Sequence, residues 1–296
     1  MLYKFGENMK ELIKYIRSSL GISQQELASD LRTAFATVNR WENDKSTPTN
    51  SMQKLIYDYC LEKNVDLSKF IISYYKEQQS YFINSYNSKD IYFHGSKAGI
   101  ENEIRPISRS LCDFGKGFYL GSEVMQPLTL ICNYPNPKLY IVSIDKKDLN
   151  TLYLDSDIFW AFFIAYNREK LEKYKDKKIY KKCEEVSKDI DLIVGDIADD
   201  KMFYVLDSFF EGTISDEGLI ECLTTLNLGK QFVAKTINAC KKINILKEYN
   251  LSELELLVLK NVSEKNREIG INQANEICKN HRRTGRFFDE ILEEDL

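Results

Sequence analysis

Three short stretches of this chain bring together side chains able to do chemistry. They are Tyr92-Phe-His94-Gly95-Ser96, then Asp113-Phe-Gly115-Lys116-Gly117-Phe-Tyr119-Leu, then Gly229-Lys-Gln231-Phe-Val. Histidine occurs only twice, so each one is informative. His94 closes an apolar run just before Gly-Ser, whereas His281 lies in the polar stretch Lys279-Asn-His-Arg-Arg. An imidazole hydrogen-bonds and exchanges protons near neutral pH. Gly95 allows close backbone approach, and Gly115 and Gly117 permit a tight turn that carries Tyr119 with it. Gln231 hydrogen-bonds but has neither charge nor base function. Carboxylates stand near these stretches: Asp113 opens the tyrosine turn, and Asp196, Asp199 and Asp200 follow an apolar run. A solvated acidic loop is the plainer reading of the last three.

The elements that must position these residues are legible as apolar patterns. Ile91–Ser96, Gly117–Gly121, Leu139–Ile144, Leu192–Gly195 and a run from Gln231 to Lys235 read as strands. Helical segments are expected near 157–166, 168–174, 178–187 and 216–226. Strands and helices without regular alternation indicate an α+β domain over about 90–246. Residues 69–89 read as a short helix running into a linker, and 247–296 as a helical C-terminal extension. Within the extension, a solvated helix and acidic tail compete with docking, which the Phe287-Phe288 pair favours.

Composition bounds the partners. The chain has 296 residues, 43% hydrophobic and 29% charged, with a formal net charge of -4. That is globular composition with room for two domains. No global positive field favours nucleic acid. The seven cysteines are scattered and never spaced as Cys-x-x-Cys, which argues against a disulfide framework and against zinc. They read as reduced thiols of a cytoplasmic protein. No secretory leader opens the sequence, and the longest apolar stretch, Ile158–Tyr166, is too short to span a bilayer.

The first 68 residues form a separate all-α unit. Met9–Leu20 places Leu12, Ile13, Ile16 and Leu20 on one helical face, and Gly21 ends it. Ser23 and Glu26 form a capping box for a second helix that turns Leu27, Ala28 and Leu31 inward. A third helix covers about 35–43. A fourth covers about 51–63, with Leu55, Ile56 and Tyr59 on one side. The order Gly21-Ile-Ser-Gln-Gln-Glu-Leu-Ala, then Thr37-Val-Asn-Arg-Trp-Glu-Asn-Asp, resembles the Cro/repressor helix-turn-helix family over about residues 8–65. The resemblance implies DNA as partner, Val38 and Trp41 packing the third helix on the second, and a homodimer reading paired half-sites. Phe35, Ala36, Thr37, Asn39 and Arg40 would lie near bases, with Gln24 and Gln25 at phosphate or base. Against this, residues 1–66 hold nine basic and nine acidic side chains. A helix-turn-helix reused for protein contact is therefore the competing reading.

The three stretches of the second domain, in their order, resemble the His-Tyr-Glu arrangement of the ADP-ribosyltransferase superfamily of diphtheria toxin and the poly(ADP-ribose) polymerases. The run from Arg105-Pro-Ile-Ser to Asp191-Leu-Ile-Val-Gly-Asp resembles an uncharacterised bacterial family assigned to it. The resemblance implies NAD as substrate or ligand. His94 would hydrogen-bond the adenosine ribose, Gly95 the nicotinamide amide, and Ser96 a ribose or phosphate. Gly115 and Gly117 would shape the turn, and Tyr119 would stack on nicotinamide. Arg105 and Lys116 would meet the pyrophosphate, to which a guanidinium is the better match. The departure is Gln231, where the superfamily carries glutamate. Two readings follow. One is an NAD-dependent ADP-ribosyltransferase with catalytic His94, Tyr119 and Gln231, acting on a protein or nucleic-acid acceptor in phage defence or a toxin–antitoxin system. The other is a transcription regulator whose second domain binds NAD or an ADP-ribosyl ligand without turnover. A plain repressor with an unrelated dimerisation domain is the third.

Overall fold

A computed structural model describes residues 9–86, 90–198, 200–226, 229–281 and 284–293. The N-terminal helices are α1 (Met9–Leu20), α2 (Gln24–Asp30), α3 (Phe35–Glu42) and α4 (Asn50–Glu62), within a residue or so of the sequence reading. Their boundaries have local causes. Gly21 takes φ +66 and closes α1. At α2 both halves of the capping box form: the Glu26 amide donates to the Ser23 hydroxyl, and the Ser23 amide to the Glu26 carboxylate. Thr49 caps α4 through the Met52 amide. Leu12, Ile13, Ile16, Leu27, Ala28, Leu31, Val38, Trp41 and Ile56 are buried together. Leu55, expected inward, is instead 41% exposed, because the buried face of α4 runs through Gln53, Ile56, Tyr59 and Cys60.

The expected linker is, over its described part, one long helix, α5 (Leu67–Ser85). Asp66 caps it by accepting from the amides of Ser68 and Lys69. Its Leu67, Ile71, Tyr74, Tyr75 and Phe82 recur at helical spacing and are buried. Aromatic side chains that look like a polar connection in sequence thus form an apolar stripe.

The second domain is built on a seven-stranded sheet. Its strands are β1 (Ile91–Ser96), β2 (Phe118–Gly121), β3 (Lys138–Ile144), β4 (Thr151–Tyr153), β5 (Leu192–Asp196), β6 (Lys230–Ala234) and β7 (Ile243–Asn250), in the order β4-β5-β6-β2-β1-β3-β7. Every pairing is antiparallel except β4 with β5. The expected strands are present. β4 and β7 were not expected: both lie at the edges, and β7 buries only Ile243 and Tyr249 fully, so it has no strong apolar signal. The helices are α6 (Met125–Ile131), α7 (Ile158–Asn167), α8 (Lys178–Val186), α9 (Asp200–Phe210), α10 (Asp216–Leu226), α11 (Ile237–Lys241), α12 (Glu253–Asn280) and α13 (Phe288–Glu293). No helix forms over 168–174 beyond a short 3-10 turn at Glu172–Tyr174. Arg168 caps α7, and Glu169 takes the left-handed φ of +61, which ends it.

The two sheet faces are packed differently. Ile91 and Phe93 of β1 and Leu139 and Ile141 of β3 join one core with α5, α12 and the N-terminal helices. On the same face Ile193 and Val233 join a second core of α7 to α10, the far half of α12, and α13. Tyr92, Phe118, Leu120, Tyr140, Val142, Val194 and Phe232 lie on the opposite face, with Ala239 and Cys240 of α11. The C-terminal extension is docked, not solvated: Leu254, Val258, Leu259, Val262, Ala274 and Ile277 are buried. Phe288 stacks on Phe162 at 5.5 Å, and Phe287 remains half-buried. Each such side chain removed from water contributes about 1.5–3 kcal/mol. Helix α12 also ties the first domain down. The Gln53 side chain accepts from the Leu254 amide at 3.3 Å, and the Tyr75 hydroxyl donates to the buried Glu255 carboxylate at 2.6 Å. Among the described residues no helix is long and apolar enough to cross a membrane.

Candidate functional site

Strands β1 and β2 pair only at Phe93 and Gly121, then part. His94 lies at that parting, on the α11 face, opposite Tyr140 of β3. Its ring stacks on Phe118, centroids 4.1 Å apart, and its Nδ1 lies 2.8 Å from the Tyr119 carbonyl oxygen. A carbonyl only accepts, so Nδ1 carries the proton and Nε2 presents its lone pair. Burial pushes the imidazole below its usual range, which holds it neutral. Nε2 has no protein partner among the described residues.

Gly95 faces the other way, toward α6. A Cβ there would meet the Pro127 carbonyl oxygen at 2.9 Å and Ile131 Cγ2 at 2.7 Å. The close approach that glycine permits is made by this helix. Ser96 closes its own turn: its hydroxyl donates to the Gly99 carbonyl and accepts from the Gly99 amide.

The tyrosine turn forms a second cluster, on the helical face. Tyr119 lies opposite Val233 and points away from His94. Its hydroxyl donates to the Gly115 carbonyl at 2.7 Å and accepts from the Phe114 amide at 3.1 Å, so the side chain fastens the turn that carries it. Burial pushes its phenol well above the usual range. Gly115 takes φ +69, and Gly117 packs against Val233 and the Ala234 carbonyl. Ser108, to which the sequence reading gave no role of its own, clasps the turn from outside. Its hydroxyl accepts from the Gly117 amide, and its amide donates to the Gly117 carbonyl.

Gln231 shares this face, opposite Gly121 and Gly195. Its Nε2 donates to Asp113 Oδ2 at 3.0 Å and to the Asp196 carbonyl at 3.1 Å. Both partners only accept, which fixes the amide with Oε1 turned away from them. Asp113 is buried and also accepts from Arg168 Nη2 at 2.5 Å. Burial raises the Asp113 carboxyl, against the lowering effect of Arg168 and Gln231. Lys235, on the same face, donates to the Phe114 carbonyl, and burial lowers its ammonium to about 8. Arg168 and Lys235 were not singled out from the sequence. Neither sits in a recognisable motif, and only the fold returns the end of α7 to the turn.

Several expected residues stand apart. Arg105 is exposed and meets Glu103 at 3.5 Å, and Lys116 is exposed on the turn. Asp196 ends β5 and accepts from the Ser156 hydroxyl. Asp199 and the Asp200 side chain lie outside the described residues. The structure therefore brings Asp113, Gly115, Gly117, Tyr119 and Gln231 together and places the His94 ring on the opposite face.

The face of the first domain that the resemblance assigns to DNA is ordered by a polar network beneath it. Arg17 binds Glu42 through two nitrogens, at 2.5 and 3.1 Å, and Glu42 is almost fully buried. The Glu42 carboxyl is held below its usual range: burial opposes ionisation, and Arg17 and Gln24 outweigh it. Gln24 donates to Glu42 and accepts from Asn39 Nδ2 at 3.1 Å, so Gln24 and Asn39 are locked across the two helices. Gln25, Phe35, Ala36 and Arg40 are exposed and Thr37 is half-buried, a surface free to meet a groove.

Comparison with known families agrees with this division. A helix-turn-helix family model matches residues 13–56, from within α1 to the middle of α4. The N-terminal unit is a helix-turn-helix DNA-binding domain. Neither the search of curated proteins nor that of solved structures returns a match. A second family model, described as a protein of unknown function (DUF3990), matches residues 91–245, from β1 into β7 and so more than half of the chain. The chain accordingly belongs to the DUF3990 family, carrying its family domain behind a helix-turn-helix.

Proposed function

We propose that this protein is a DNA-binding transcription regulator whose second domain binds NAD or an ADP-ribosyl ligand without turning it over. The observation that carries the reading is the His94 ring. Its neutral form donates from Nδ1 to a backbone carbonyl, and Nε2 is left as an acceptor at the place where β1 and β2 part. An acceptor of that kind suits a ribose hydroxyl, the partner that the resemblance to ADP-ribosyltransferases assigns to His94. Gln231 supports binding over catalysis. It is neutral, 6% exposed, and its amide nitrogen is committed to Asp113 and Asp196. An amide side chain does not serve as a base, and this one lies on the sheet face opposite the His94 ring. Ligand and DNA readouts share one body, because α12 packs against both α4 and α10.

ADP-ribosyl transfer is the second reading, favoured by one observation. Asp113 sets a buried carboxylate directly behind Gln231, which restores negative charge near that position. Calorimetric titration with NAD, joined to a nicotinamide-release assay and a labelled-NAD transfer assay on protein, RNA and DNA acceptors, separates the two. Saturable binding that His94→Ala abolishes, with no nicotinamide release, supports the regulator. Label transfer lost in Asp113→Asn supports the transferase. Absence of any NAD or ADP-ribose binding overturns both.

A further inference from the structure

Helices α10 and α12 run past one another at a glycine. A Cβ on Gly218 would lie 3.1 Å from the Cβ of His281, which caps α12. The Ser215 hydroxyl, at the start of α10, donates to the His281 carbonyl at 3.4 Å. The start of α10 and the C-terminal end of α12 are therefore in direct contact. One turn further along, each helix presents a cysteine to the other. Cys222 stands four residues after Gly218, and Cys278 three before His281, spacings that keep a side chain on one helical face. Cys222 belongs to the apolar core beside these helices, and Cys278 packs against that same core. Cys222 is fully buried, whereas Cys278 is half-buried. The other cysteines lack such a pairing: Cys60, Cys132, Cys183 and Cys240 are buried at separate points of the fold, and Cys112 lies in the tyrosine turn.

We propose that Cys222 and Cys278 form a redox-active dithiol that a small hydroperoxide converts to an α10–α12 disulfide. Cys278 reacts first. Its thiolate attacks one peroxide oxygen, the O–O bond breaks, hydroxide leaves and takes up the thiol proton as water, and Cys278 becomes a sulfenic acid. Cys222 Sγ then attacks Cys278 Sγ. The S–S bond forms, the S–O bond breaks, and a second water carries away the hydroxyl and the Cys222 proton. Two thiols are thereby oxidised by two electrons, and one hydrogen peroxide is reduced to two waters. Cys278 is the attacking thiol because it is the less buried of the two; the neighbouring Cys222 and His281 also lower its pKa, against the effect of burial.

The test treats the full chain with equimolar hydrogen peroxide, blocks remaining thiols with N-ethylmaleimide, and maps linked peptides by mass spectrometry. The expected result is a Cys222–Cys278 peptide, loss of two of the seven free thiols, and full recovery with dithiothreitol. Closing a loop of about 55 residues should raise the melting temperature by roughly 5–10 °C. Cys278→Ser, at the half-buried position, should lose both the linked peptide and the rise. Both thiols emerging alkylated, or Cys278 passing to the sulfinic acid unlinked, overturns the proposal. So does an undiminished rise in Cys278→Ser.

Discussion

Replacing Tyr119 by phenylalanine separates the two roles this side chain has been given. The ring stays, and with it any stacking surface for a ligand. The hydroxyl goes, and with it the bonds to the Gly115 carbonyl and the Phe114 amide. The Gly115 carbonyl keeps a long contact to the Ser108 hydroxyl at 3.5 Å, so its loss is about 1 kcal/mol, the net worth of one hydrogen bond. The Phe114 amide has no comparable substitute, and Phe114 is fully buried. An orphaned buried donor costs about 1–3 kcal/mol. Together Tyr119→Phe should destabilise the protein by about 2–4 kcal/mol. At about 2–4 °C per kcal/mol for a chain of this order, the melting temperature falls by roughly 4–16 °C in scanning calorimetry. NAD affinity measured well below that temperature should stay within about threefold of the parent, since the ring is retained and lies on the sheet face opposite His94. A stability loss below about 0.5 kcal/mol would show that the hydroxyl does not hold the turn, and would refute the reasoning.

Gly95→Ala should cost about 1–3 kcal/mol by overpacking against the Pro127 carbonyl and Ile131, read as a drop in melting temperature; an unchanged midpoint would show that α6 yields freely. Glu42→Ala leaves the Arg17 guanidinium without its buried partner and should cost about 3 kcal/mol, with weakened operator binding in a gel-shift assay, whereas a loss under 1 kcal/mol would mean that water replaces the carboxylate. His94 is held below its unfolded-state pKa, so its contribution to stability is present above that value and is lost as pH falls through it toward the folded one. Unfolding midpoints measured from about pH 7.5 to 5 should therefore decline less steeply in His94→Gln than in the parent, and parallel curves would contradict the burial argument.

Local signals carried the helix-turn-helix. Gly21, the Ser23–Glu26 box and the inward Leu27, Val38 and Trp41 each act within a few residues, so their consequences can be read without knowing the rest of the fold. The inner strands were legible for the same reason, as short β-branched and aromatic runs. The edge strand β7 was not, because its outer side needs no apolar residues. Nor was the long α5, whose tyrosines count as polar in a sequence and as apolar once their rings are buried.

The chemistry divides along the same line. By itself the sequence determined which residues are available: His94 at a strand end, Tyr119 behind two glycines, and glutamine at position 231. Only the tertiary structure decided what they face. A strand alternates its side chains, so pairing register set the His94 ring on one face and Tyr119 with Gln231 on the other. Chain reversal after α7 brought Arg168 to Asp113, 55 residues away, and α12 joined the DNA-binding helices to the sheet. Such contacts are set by loop closure and shared burial, which no short stretch of sequence encodes.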